Sequence, residues 1–343
     1  MVFYLSWFTL TFLLLALTRN VSRINLIIVF ILLTLVYGGR NLIGVDDLTY
    51  ISSFNNANSG GLVYGMERSF IVISKFLGDM GLNFRALFFF YALVSFTFMY
   101  LSYKELCQNK YEWIVAILGF IVFAFVPTIT LMRQFAAAAI LTYAFLFILK
   151  KKNILALIFI AFASVFHLGS VICFMFLPFF LIRIKVRTKI ILPIICLAIG
   201  YFGIFNNLLN LIDSYIPNKY IGYLNSSTVP QIGLLHLILI TIYILQFLLP
   251  ILYKTKKQIS DTTDFLERAQ MLYFSVYFIT LSSGWTSRMS IYFILFVPFI
   301  FKTFITRFKL EKDKQMLYLI CYGAYFLLFI YQIIVNNNFN ILL

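Results

Sequence analysis

Asp46, Glu67 and His167 are the side chains of this 343-residue chain best suited to taking a proton from a hydroxyl, and several arginines could hold a polyanion beside them. Carboxylate and imidazole groups accept protons near neutral pH, whereas a guanidinium stays charged and presents a planar fork of donors. Arg85, Arg133 and Arg288 share a local feature. Asn83 precedes the first, Thr128 and Thr130 the second, Thr286 and Ser287 the third, and all are helix-capping types. Each arginine therefore falls in the first turn of a helix, where a cation is disfavoured by about 0.3–1 kcal/mol. An anion between such helix ends would resolve that conflict through backbone N–H groups and bidentate guanidinium contacts. Arg133 is followed by Ala136, Ala137, Ala138 and Ala139, whose small side chains permit close helix packing and would hold it away from lipid. The simple alternatives are arginines that reach to lipid phosphates, and carboxylates that cap a turn or pair with Arg40.

The elements that must position these residues are apolar. The chain is 62% hydrophobic, with a mean hydropathy of +0.96, and repeated apolar runs of crossing length read as transmembrane helices. Candidate spans are 2–17, 24–39, 86–103, 112–128, 130–149, 154–166, 168–182, 190–205, 233–252, 269–283, 289–304 and 315–335, which predicts an all-α polytopic membrane protein of about twelve helices in one integral domain, 1–343. The net charge of +15 reflects topology and not nucleic-acid binding. With the Lys150-Lys151-Lys152 run placed in the cytoplasm, all but seven of the 27 Lys and Arg fall inside, as the positive-inside bias requires. The seven exceptions are Arg40, Arg68, Lys75, Arg85, Arg133, Lys219 and Arg288. Both termini then lie outside.

Residues 154–182 lie between two basic segments, so the chain must go out and return on arms too short for an ordinary crossing of ~20 residues. A tilted or partly re-entrant hairpin with His167 at its tip fits. The first apolar stretch lacks a basic leader and a small-residue cleavage site, and is expected to stay as the first span. Residues 40–85 and 206–232 form the larger outer loops. In the former, Met66, Phe70, Ile73, Leu77 and Met80 recur at helical spacing, predicting an amphipathic helix on the bilayer surface. His236 lies near the outer start of another span. No cysteine falls in an outer loop, so no disulfide framework is expected. Two histidines and adjacent aspartates make a poor metal set, and no phosphate-binding glycine loop is present.

The string Arg40-x3-Gly44-x-Asp46-x3-Tyr50-x3-Phe54, then Glu67-x2-Phe70, resembles the start of the EpsG-like family, which belongs with the Wzy-type bacterial polysaccharide (O-antigen) polymerases. The likeness continues through Met132-Arg133-Gln134 into Ala136 and Ala137, then Phe166-His167, then Arg288-x3-Tyr292. Val45 stands where the family often has Thr, and Gly169 intervenes where a Ser often follows the histidine sooner. The resemblance implies a GT-C-like glycosyltransferase of the bacterial inner membrane that needs no cofactor or metal and works on its periplasmic side. Its substrate would be an undecaprenyl-diphosphate-linked oligosaccharide. The growing glycan would pass to the non-reducing sugar of a new repeat, with a Wzx-type flippase and a Wzz-type chain-length regulator as partners. Arg40, Arg85, Arg133 and Arg288 would hold the diphosphate. Asp46 ranks first as the base, before His167 and Glu67, with Tyr50, Gln134 and Tyr292 toward the sugars.

Two other functions suit the same composition. A flippase for lipid-linked oligosaccharide would also span many times, although transporters place their charges near the midplane at broken helices in related halves, and no repeat is visible here. Another polyprenyl-linked glycosyltransferase is the second alternative: one using a polyprenyl monophosphate sugar, which the carboxylates of the first large outer loop would suit, or an O-antigen ligase moving finished glycan onto a lipid A core.

Overall fold

A computed structural model describes residues 2–17, 23–40, 46–205, 207, 234–252, 260–281, 286–307 and 311–334, and among them every regular element is helical. The order is α1 (Val2–Ala16), α2 (Arg23–Gly38), α3 (Asp47–Ser59), α4 (Arg68–Asp79), α5 (Phe84–Leu106), α6 (Lys110–Ile129), α7 (Met132–Leu149) and α8 (Asn153–Phe166). Then come α9 (Leu168–Leu181), α10 (Val186–Tyr201), α11 (Leu234–Leu252), α12 (Asp261–Ile279), α13 (Thr286–Phe299 continuing as Ile300–Ile305) and α14 (Glu311–Ile334). Setting α3 and α4 aside, each of these helices overlaps one of the twelve apolar segments read from the sequence, though α12 starts at Asp261 and its apolar segment at 269. Among the described residues, five helices are long and apolar enough to cross a membrane, and several shorter ones are apolar too. The predicted loop 206–232 and Lys219 lie outside the described residues, apart from Asn207, as does the His236 side chain.

The middle of the bundle is α7, buried along almost its whole length and packed against α5, α8 and α13. Its alanine run makes this possible, because Ala136 to Ala139 are all fully buried and let neighbouring backbones approach. Pro127 cannot donate to the carbonyl one turn back, and a π-helical turn over Phe120–Ala124 takes up that break within α6.

The short return arm of the hairpin gains length by changing helix type. Leu168–Phe176 is a 3-10 helix before an α-helical turn at Leu177–Leu181. With about 2.0 Å rise per 3-10 residue, the arm reaches roughly 25 Å, against roughly 21 Å had it been α-helical throughout. His167 breaks the chain between the arms with φ −151° and ψ 111°.

The two ends of the bundle carry different chemistry. At one end Lys110 Nζ donates to the Ala16 carbonyl at 2.8 Å, Lys150 pairs with Glu105 at 2.9 Å, and Lys302 pairs with Glu112 at 2.7 Å. Lys189 lies 2.5 Å from Asp264 and 2.8 Å from Glu267, which Arg307 also holds. Arg268 donates to the carbonyls of Phe180 at 2.7 Å and Ile182 at 2.8 Å, closing the end of α9. Lys189 and Glu267 are buried, so removing one partner strands a charge at a cost of about 3–5 kcal/mol. We expect Glu267→Ala to lower the thermal midpoint of the purified protein sharply. Arg183→Ala should leave it unchanged, because the Arg183–Asp261 pair is almost fully exposed. Among the described residues no outer-face candidate takes part in these contacts; Arg40, Arg133 and Arg288 pair elsewhere.

Candidate functional site

The opposite end is assembled from six elements, and α3 and α4 form its cap. Gly78 lets the two helices touch, since a Cβ there would sit 1.8 Å from Asn58 Oδ1. Asn58 in turn donates to the carbonyls of Phe54 at 2.8 Å and Ser74 at 3.2 Å. The amphipathic helix appears where expected, but its inner face is not on the bilayer. Phe70, Ser74 and Leu77 are buried, with Phe70 between the rings of Tyr50 and Tyr91. Protein surface nearby buries that face more completely than a lipid headgroup layer would. This docking brings Glu67, at the start of α4, over the first turn of α7.

Glu67 is the hub. It occupies the N-cap position of α4 yet makes no cap hydrogen bond with its side chain. Instead Oε2 accepts from Arg133, while Oε1 lies 3.2 Å from the Leu168 amide and 3.3 Å from His167 Nδ1. Burial alone would raise its pKa, but the His167 hydrogen bond and the Arg133 charge outweigh burial and bring it down to about 2. A carboxyl held below its ordinary value adds stability that is complete above the unfolded pKa and fades as pH falls toward the folded one. The thermal midpoint difference between the wild type and Glu67→Gln should therefore stay constant from neutral pH to about pH 5. It should shrink only below that, toward pH 2, in a melt series against pH.

His167 Nδ1 is also 3.3 Å from the Gly169 amide. One ring nitrogen cannot donate to a carboxylate and accept from an amide at once. The ionised carboxylate is the stronger partner, so we assign the hydrogen to Nδ1, leaving Nε2 as the proton acceptor. Tyr292 stands against this imidazole, ring centroids 6.1 Å apart. Gly169 permits that approach, because a Cβ would meet the Tyr292 hydroxyl at 2.6 Å. Gly169 thus has a steric role at the hairpin tip.

Arg133 sits under the cap, its guanidinium 5.4 Å from the Tyr50 ring centroid and 5.9 Å from that of Phe70. Its Nε is buried without a partner among the described residues. Tyr50 is buried, which raises its pKa despite Arg133 beside it, so the phenol remains a neutral donor. The adjacent Gln134 donates to the Arg288 carbonyl at 2.5 Å, joining α7 to the start of α13. Arg288 in turn meets Asp46 at 3.2 Å in a partly exposed pair.

The remaining arginines are placed differently. Arg40 forms a buried pair with Asp47 at 2.9 Å, donates to the Tyr37 carbonyl at 3.0 Å, and lies 4.3 Å from the Phe88 ring centroid. Of the two neighbouring aspartates, Asp47 is its partner and Asp46 is not. Arg85 is exposed at the start of α5, where Asn83 caps its amide at 3.0 Å. The caps expected before Arg133 are not formed, since α7 starts after Leu131 without a side-chain cap. The Thr286 and Ser287 side chains lie outside the described residues. Tyr91 is a residue that sequence reasoning did not single out. Its hydroxyl is buried without a hydrogen-bond partner among the described residues, close enough to feel the charges of Arg133 and Glu67. The only local signal was a tyrosine on the inward face that α5 shares with Leu87 and Phe88.

The model of the EpsG family matches residues 23–343. The chain belongs to the EpsG family. No curated protein and no solved structure matches it. In this EpsG-family membrane protein the matched region contains the whole cluster, from Arg40 to Tyr292. Chemically, the cluster offers an imidazole oriented by a carboxylate, the Arg133 guanidinium against the Tyr50 ring, and Arg288 joined to the next residue of α7 through Gln134. Among the described residues no three His, Cys, Asp or Glu side chains group as a metal set.

Proposed function

We propose that the protein is a polysaccharide polymerase of the bacterial inner membrane, with all twelve apolar segments crossing in a GT-C-like arrangement. It joins undecaprenyl-diphosphate-linked oligosaccharide repeats at the periplasmic face, and both termini lie on that side. A flippase supplies repeats and a chain-length regulator acts beside it. The observation that carries the reading is the Arg133–Glu67–His167 cluster, with Arg288 beside it, at the end of the bundle away from the Lys110, Lys150, Lys189 and Lys302 contacts.

The three arginines near the cluster differ in availability. Separating Arg288 from Asp46 costs ~0–1 kcal/mol, because the pair is partly exposed. Breaking the buried Arg40–Asp47 pair would cost several times more. Arg288 therefore takes the diphosphate, Arg133 offers its unpartnered Nε, and Arg40 positions α3. In the transfer, the acceptor hydroxyl attacks the anomeric carbon of the growing chain, and its proton passes to His167 Nε2. The bond from that carbon to the phosphate oxygen breaks, and the diphosphate leaves with negative charge that the guanidinium groups offset. Glu67 orients the imidazole and is too acidic to be the base itself. Asp46, released by Arg288, and Tyr50, Gln134 and Tyr292 face the sugars.

A transporter is disfavoured because the cluster sits at one end of the bundle and not at mid-depth. The deciding experiment supplies the purified protein, in lipid nanodiscs, with diphosphate-linked repeats. A ladder of lengthening glycans with release of polyprenyl diphosphate supports the proposal. Repeats that stay single, or that move only onto a lipid A core, would refute it.

A further inference from the structure

Helix α4 shows three kinds of surface around its circumference. Phe70, Ser74 and Leu77 face the protein. Val72, Phe76 and Met80 are 65%, 62% and 60% exposed, and their spacing of four residues aligns them as one strip. Arg68, Lys75 and Asp79 are exposed on a third arc. At ~100° per residue, the apolar strip falls between the buried arc and the charged arc. A helix standing in water would not present three large apolar side chains in line beside its cations. A helix wedged at a bilayer edge would, with one arc on protein, one on acyl chains and one in the headgroup layer.

We propose that the outward strip of α4 is a seat for anionic phospholipid, with Arg68, Lys75 and Arg85 holding its headgroups. The strip is continuous with an apolar helix that already faces outward. Ser69 donates to the Val165 carbonyl, tying the start of α4 to the end of α8, where Phe162 and Val165 are themselves exposed. At the other end, α5 begins at Phe84, four residues beyond Met80, and adds Arg85 at its exposed first turn. Three cations against the single carboxylate of Asp79 favour an anionic headgroup over a neutral one. The lysine on the rim argues against a protein partner, since lysine is depleted from protein interfaces.

The test reads depth and lipid preference and needs no turnover, so it is separable from the polymerase reading. Val72→Cys and Phe76→Cys are spin-labelled in the full chain; the four native cysteines are buried, so labelling is selective. In nanodiscs both labels should be relaxed by oxygen and protected from an aqueous nickel chelate, whereas Tyr64→Cys should be open to the chelate. Phosphatidylglycerol should bind in preference to phosphatidylcholine. The Arg68→Gln/Lys75→Gln variant should weaken that binding roughly fivefold per cation removed. Chelate access at 72 and 76 would put the strip in water, and protection from both reagents would mean that protein covers it; either result overturns the proposal. Equal binding of the two lipids would overturn it as well.

Discussion

Arg133→Ala is expected to abolish polymer formation while the protein remains in the membrane at normal abundance. Among the described residues, the guanidinium both bonds Glu67 and lies against the Tyr50 ring. Removing a donor aimed at developing charge in a shielded site typically costs about 100- to 1,000-fold in rate. Glu67 would be left partly buried with only His167 and the Leu168 amide opposite, so some loss of stability would accompany the loss of activity. The double variant Arg133→Ala/Glu67→Gln separates the two effects, because it removes the stranded carboxylate along with the arginine. It should regain thermal stability and stay inactive. Arg133→Lys keeps a charge near Glu67 but loses the planar fork and its stacking, and should recover little. Full-length polymer from cells carrying Arg133→Ala would end the diphosphate-clamp idea.

His167→Ala should lower the elongation rate about 100- to 10,000-fold, the usual worth of a positioned general base. The effect belongs in kcat with KM for the lipid-linked repeat nearly unchanged, because the imidazole acts on the acceptor proton and the arginines hold the donor. Asp46→Asn is the companion measurement. Asp46 stood first as the base on sequence grounds, but its carboxylate faces Arg288, 3.2 Å away, while the imidazole is oriented by Glu67. If Asp46→Asn lost the larger factor and His167→Ala stayed active, the proton would go to Asp46 and the assignment would be reversed.

Much of the cluster was legible as residue types. Arg133, Glu67 and His167 stood out because each is charged or basic in an apolar chain, at a helix start, a loop or a hairpin tip, while Tyr50 and Tyr292 entered through the resemblance to the family. The structure brings them together. Arg85 had the same local signature as Arg133 but ends on the exposed start of α5, because a capped helix start does not report what packs over it. The face of α4 showed a similar limit. Helical spacing identified the apolar residues but not whether protein or lipid would cover them, since both reward the same burial. Tyr91 gave almost no signal, being one more aromatic within an apolar span.

The sequence by itself determined the all-helical membrane character, because long apolar runs must satisfy their backbone groups within the helix. It also grouped Lys110, Lys150, Lys189 and Lys302, which the structure holds at one end, since that bias acts on each loop separately. Only the tertiary structure decided which carboxylate meets which arginine. Asp46 and Asp47 are neighbours in the chain, yet one faces Arg288, 242 residues away, and the other is buried with Arg40. Glu67 lies 66 residues from Arg133, beyond the reach of any local rule. The choice among such partners rests on how α3 and α4 dock over α7, where a single step along a helix turns a side chain by about 100° toward a different neighbour.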